Sequence, residues 1–283
     1  MKADEALRPG GLAGFAAAGR ESAGVGQWIQ EVLALTRRWY IMLIRERLNL
    51  VFSLLQPAIW LVFFGTAVGR AVDEDVIGTS DYLGFMLPGI IVFTVVSGGV
   101  AGAMPLMWDK EQGYLDKMMS MPIGRSSVIV SRFVFELGLG TLQTILLLVT
   151  ALIMGVEFET GIAGILVILI AAGLLTLAVT SAFVGLAYWV PGHGTFFAIT
   201  GFITLPLLFV SSAFVPLEEM PGWMEAAARA NPVTYAIESI RTLVIDGWEA
   251  KVLASIGILA FVSVVCLAVG TDQFRRQTGE RVH

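Results

Sequence analysis

Between Glu159 and Glu218 the chain contains no Asp, Glu, Lys or Arg. As one helix that stretch would measure roughly 87 Å at 1.5 Å per residue, far more than the ~30 Å of hydrocarbon in a bilayer. It must therefore break. Val190-Pro191-Gly192-His193-Gly194 supplies the break, because Pro and Gly mark a turn. The stretch reads as a hairpin of two membrane spans, about 161–189 and 195–215.

Four more apolar runs have the length of a span: about 48–69, which holds Pro57, 82–106, 134–156, which holds Glu136, and 252–270. The expected architecture is an all-α integral membrane protein with six transmembrane helices, its transmembrane domain covering 27–270 between tails at 1–26 and 271–283. Only 14% of the residues are charged, against about 25% in soluble domains. The net charge of −5 gives no basic surface for nucleic acid. Cys266, the single cysteine, lies in an apolar run, so there is no disulfide framework and no cysteine metal site. The Ala/Gly-rich N-terminus lacks the Leu-rich core of a signal peptide and reads as a flexible cytoplasmic tail. With six spans and the N-terminus inside, only Arg70, Arg229, Arg241 and Lys251 of the 18 Lys and Arg residues fall on the outer side. The excess inside places both termini in the cytoplasm.

Three segments are neither span nor simple loop. In 27–47, Trp28, Val32, Leu35, Trp39 and Leu43 recur at helical spacing, while Arg37, Arg38 and Arg45 fall largely elsewhere. The pattern suits an N-terminal amphipathic helix in the inner headgroup layer, either anchoring the first span or bracing a partner. In 216–245, Pro216 and Pro221 lead into a short helix through Trp223. Asn231-Pro232 breaks it, and a second short helix carries Tyr235, Ile237, Ile240 and Leu243. The pair suggests a re-entrant or interfacial hairpin on the outer side, before the last span. Glu238 and Arg241 are three apart and can pair on one face, or form an ordinary surface ion pair. The third segment, 105–127, is a charged island between spans two and three. Trp108, Leu115 and Met119 share a face, Gly113 weakens the helix by about 1 kcal/mol relative to Ala, and Pro122 stops it. It reads either as an amphipathic helix over 108–121, ordered by docking, or as a solvated loop.

Motifs for chemistry are missing. No G-x-x-x-x-G-K-[ST] phosphate loop, G-x-S-x-G or H-E-x-x-H occurs. A membrane enzyme finds no catalytic set here. A channel or secondary transporter would want ionisable groups near the midplane, and Glu136 is the notable one. Arg132, one turn before it, points to an i,i+4 pair at the cytoplasmic edge. A scaffold that passes motion to an outer partner has only short outer loops to work with. His193 has no second histidine near it for a metal. Gly65-x-x-x-Gly69 and Gly98-x-x-x-Gly102 would let helices approach closely. Phe63, Phe64, Phe85, Phe93, Phe196, Phe197 and Phe202 are candidate lining for an apolar pathway that suits an amphipathic or lipid-like cargo.

Glu111-x-Gly113-x-Leu115 followed by Pro122 resembles the cytoplasmic coupling helix of permeases in the type-two ABC exporter family. Ser211-Ser-Ala-Phe214-x-Pro216, Met220-Pro221-x-Trp223, Asn231-Pro232-x-x-Tyr235 and Arg241 are similar to the outer re-entrant segment of such permeases, closest to the daunorubicin-resistance and nodulation types. The resemblance covers nearly the whole chain. It implies a multi-pass permease of the cell inner membrane, exporting an amphipathic, drug-like or lipid-linked substrate. It implies that Trp108, Glu111, Gly113, Leu115, Met119 and Pro122 dock on an ATPase. The chain itself would carry no cofactor and no catalytic residue. ATP and Mg would sit on two separate ABC ATPase subunits, and a second permease copy, in a homodimer or a related pair, would complete the complex.

Overall fold

The computed structural model describes residues 25–67, 81–114, 117 and 124–280, and they form helices joined by short turns. In chain order these are α1 (Val25–Arg45), α2 (Arg47–Ala67), α3 (Tyr82–Glu111), α4 (Arg125–Ile153), α5 (Gly161–Trp189), α6 (His193–Phe209), α7 (Gly222–Ala230), α8 (Pro232–Arg241) and α9 (Ala250–Glu280). A 3-10 turn, Leu217–Glu219, precedes α7, and a π-helical turn, Thr242–Asp246, follows α8.

Five of these helices are long and apolar enough to cross a membrane: α2, α3, α5, Ser126–Ile153 of α4 and Ala250–Gln273 of α9. The expected span at 195–215 is the apolar helix α6, which has 17 residues. Its rise of roughly 26 Å is slightly shorter than a ~30 Å hydrocarbon core. α6 ends at Phe209, and Asn231 from the next segment binds the carbonyls left open there, as described below.

Helix boundaries depart from the sequence reading at three places. The second span extends five residues further, to Glu111. The third starts at Arg125 rather than near 134, because Glu31 of α1 supplies a cap that α4 lacks. The Glu31 carboxylate accepts hydrogen bonds from the Gly124 N–H (3.0 Å) and the Ser127 hydroxyl (2.7 Å), placing negative charge on the positive end of the helix dipole. The last helix runs to Glu280, so most of the segment read as a C-terminal tail is helical.

α5 lies at the centre, packed against α3 on one side and α9 on the other, with α4 beside it. α3 and α5 touch where Gly99 meets Val179: a Cβ on Gly99 would stand 2.6 Å from a Val179 methyl. The core is continuous through α3, α4, α5 and α8, with Leu87, Ile91, Ile168, Leu175, Ile237 and Ile240 among its buried members. α2 is the least covered, and Leu61 is its one buried residue.

α1 confirms the amphipathic pattern, and its stripe has a specific partner. Val32, Thr36 and Trp39 are buried against α4. The Trp28 indole donates to Ser126 Oγ (3.1 Å) and the Thr36 hydroxyl to the Ser131 carbonyl (3.3 Å). Arg37 is exposed on the opposite side.

Candidate functional site

The residues singled out by sequence collect at the two ends of the bundle, with a charged cluster between them.

The first end is where α3 terminates. Trp108 and Glu111 continue the α3 helix, which stops at a Gln112 cap; Gly113 follows with φ +69. That left-handed conformation is one glycine adopts without strain. The helix expected over 108–121 is interrupted among the described residues: α3 ends at Glu111, Gly113 breaks the helical conformation, and the Lys117 N–H reaches the Gly113 carbonyl (3.3 Å). Leu115, Met119 and Pro122 lie outside the described residues.

The last turn of α3 grips the turn between α5 and α6. Lys110 Nζ donates to the carbonyls of Tyr188 (3.0 Å) and Val190 (2.9 Å), at the negative end of α5. Glu111 Oε1 accepts from the His193 N–H (3.3 Å) and lies 2.6 Å from His193 Nδ1, at the positive start of α6. A carboxylate only accepts, so Nδ1 carries the proton in this contact. The Trp108 ring lies 5.9 Å from the imidazole. On the other side, Arg38 of α1 stands 3.9 Å from Asp109 and stacks over Tyr114 at 4.8 Å. Two residues proposed to face a partner, Trp108 and Glu111, are thus tied to the chain's own second turn. The Lys110 grip has no sequence signal, because its acceptors are main-chain carbonyls far along the chain.

The second end holds α7 and α8. Asn231 caps α8 through Val233 N–H (3.0 Å), and its Nδ2 donates to the carbonyls of Leu207 (2.7 Å) and Val210 (2.8 Å). It thereby closes α6, while Pro232 occupies the first turn of α8, where no N–H is needed. Arg241 exceeds a surface pair. It donates to the Ser212 carbonyl (2.6 Å), the Phe85 carbonyl (3.5 Å) and Glu238 (3.1 Å), and its guanidinium lies 4.0 Å from the Phe85 ring centroid. Burial lowers its pKa from the ordinary guanidinium value, and Glu238, Asp246 and Glu218 pull it back. Tyr235 donates to the Arg229 carbonyl (2.7 Å), joining α8 to α7. Pro216 and Pro221 precede the 3-10 turn and α7, and Trp223 is exposed. Thr160 binds the Leu243 carbonyl (2.6 Å), fixing the far side to the α4–α5 connection.

Arg132 and Glu136 form the expected i,i+4 ion pair at 2.6 Å, and both side chains are buried inside the protein. Arg132 Nε donates to the Gly102 carbonyl (2.7 Å), and its guanidinium stacks on Trp39 and Phe135 at 4.7 and 5.0 Å. Gly102 leaves room for the acid, since a Cβ there would come within 2.7 Å of the Glu136 carboxyl. In this way the Gly98-x-x-x-Gly102 pattern faces α4. Of the candidate aromatic lining, Phe93 borders the groove beside this pair, Phe85 supports Arg241, Phe196 is core, and Phe197 and Phe202 face outward. Among the described residues no three His, Cys, Asp or Glu side chains converge as metal ligands.

Residues 30–245 match the family model for the ABC-2 type transporter. The protein ycf38 of Porphyra purpurea, whose name describes a transport permease, is 37% identical over 75% of this chain and 73% of its own. The daunorubicin resistance ABC transporter permease protein DrrB1 of Streptomyces coeruleorubidus is 27% identical over 74% of each chain. Nodulation protein J of Rhizobium leguminosarum bv. viciae is 23% identical over 87% of this chain and 94% of its own. The resemblance drawn from the motifs therefore holds, and this chain belongs to the ABC-2 type transporter family as a membrane permease subunit that works with an ABC ATPase.

Proposed function

We propose that this permease exports an amphipathic, drug-like or lipid-linked substrate from the cytoplasm or inner leaflet by alternating access. α6 serves as the sixth span, and α7 and α8 form a re-entrant hairpin at the outer surface. The Glu111 end and both termini face the cytoplasm of a cell inner membrane. ATP and Mg bind on two ATPase subunits, and two permease copies complete the transporter.

The observation that carries this reading is the double grip of Lys110 and Glu111 on 188–193. An ATPase that displaces the segment after Glu111 would move the end of α3, and through the grip the facing ends of α5 and α6. Three spans would then shift as a unit. Such coupling requires that the ATPase contact differ between its two states.

The test is coexpression with the ATPase subunit, followed by purification in nanodiscs and measurement of ATP-driven transport. Combining Glu111→Ala with Leu115→Ala should lower transport by about tenfold, the loss of roughly 1.4 kcal/mol of coupling, in a permease that still folds. Unchanged ATPase association together with unchanged transport would overturn the coupling role.

A further inference from the structure

From Thr160 to Leu217 no side chain carries a fixed charge. His193 is the one residue in that stretch whose type gains a positive charge between about pH 8 and pH 5, a range in which glutamate stays ionised. It stands in the turn between α5 and α6, where the end of α3 grips the chain. The other histidine is the C-terminal His283. A pH change near neutrality therefore places charge on this hairpin at a single point.

That point faces a carboxylate. Glu111 Oε1 lies 2.6 Å from Nδ1 and accepts from the His193 main-chain N–H at 3.3 Å. With the ring neutral, the side-chain contact is one N–H donating to a carboxylate. With the ring protonated both partners are charged, and Coulomb attraction adds to the hydrogen bond. Nε2 is buried and has no hydrogen-bond partner among the described residues. In the neutral ring it is an acceptor with nothing to accept. The Trp108 indole, 5.9 Å from the imidazole, is a ring that attracts a cation. Lys110 of α3 opposes a charge on His193, but its ammonium is held by the Tyr188 and Val190 carbonyls. The N–H end of α6 opposes the charge as well, and the carbonyl end of α5 favours it. Asp109 and Arg38 face each other on the other side of α3.

We infer that Glu111 and His193 form a proton-operated latch: protonation of His193 tightens the end of α3 onto the α5–α6 turn, and loss of that proton loosens it. As a control on transport this rests on the exporter reading of the grip, and coupling is then closest at the acid end of the range. As a latch within the permease it stands alone.

The test is bimane fluorescence from the full-length permease in phosphatidylcholine nanodiscs, without ATPase or ATP. With Cys266→Ser as background, Gly194→Cys carries the bimane, since a Cβ there meets nothing within 4 Å. Trp108 quenches the bimane by contact when the latch is closed, and Trp108→Phe separates that quenching from the share due to the exposed Trp189. The closed-to-open ratio should be about threefold higher at about pH 5.5 than at about pH 8, a modest change because the Glu111 side chain is 43% exposed and screened by water. Raising the salt concentration should shrink it. His193→Gln keeps a side-chain N–H for Glu111 and should make the ratio the same at both pH values, as should Glu111→Gln. Equal quenching at the two pH values with Glu111 and His193 both in place, or a pH response that survives His193→Gln, would overturn the latch. The assay contains no ATPase, so its failure leaves the exporter reading intact. Failure of the permease to couple to an ATPase would leave the latch intact.

Discussion

Arg132 and Glu136 show how one pair of charges is accommodated in a segment that otherwise reads as apolar. Each charge is satisfied by the other, by a carbonyl, or by the glycine gap that admits it. Removing one partner leaves the other buried and alone, a loss of about 3–5 kcal/mol, whereas replacing both with apolar groups of similar size costs far less. Arg132→Met or Glu136→Leu should each lower the thermal midpoint of the nanodisc-embedded protein sharply, and the double substitution should recover most of the loss. Additive losses would show that the pair is not a closed unit. The i,i+4 spacing made the pair legible in the sequence. Its burial was not, because burial depends on Trp39 and Gly102, which approach from two other helices.

At the scale of elements, hydrophobic runs located five helices long and apolar enough to cross a membrane and the shorter apolar helix α6, and Asn231-Pro232 located the break between α7 and α8. Helix ends were harder to read. α4 begins early because Glu31 caps it from another helix, and α3 overruns because Lys110 and Glu111 find partners at 188–193. One partner in each of these ties is main chain, a carbonyl for Lys110 and an N–H for Glu31 and Glu111, and main-chain groups carry no residue identity for a sequence pattern to reveal. Glu31→Ala should therefore cost about 1 kcal/mol, the scale of a lost N-terminal cap, and speed proteolysis near Gly124. Gly113→Ala places a Cβ at φ +69 and should cost about 1–2 kcal/mol, read out as a lower thermal midpoint. An unchanged midpoint would mean that the break after α3 is adaptable.

For the whole molecule, the two ends are closed by different means. The Glu111 end is held by contacts from α3 to the 188–193 turn; the other end is held by Arg241, reaching the carbonyls of Ser212 and Phe85. A hydrogen bond to a charged group contributes about 1.5–3 kcal/mol, so Arg241→Met should raise local opening at that end by about tenfold or more. With Cys266→Ser as background, Ser212→Cys installs a thiol at a position that is fully buried. Its modification by a water-soluble maleimide should accelerate accordingly in the Arg241→Met protein. An unaltered rate would show that closure there rests on packing alone.

α2 has a consequence for how the protein is made. Leu61 is its one buried residue, and the side-chain hydrogen bond that ties it to α4, from Gln143, comes from a helix translated much later. α2 leaves the ribosome before α3 and α4 and must therefore wait in the bilayer without them. Its outward apolar surface equips it for that, since Phe52, Ile59 and Phe63 already face away from the bundle and need only lipid around them.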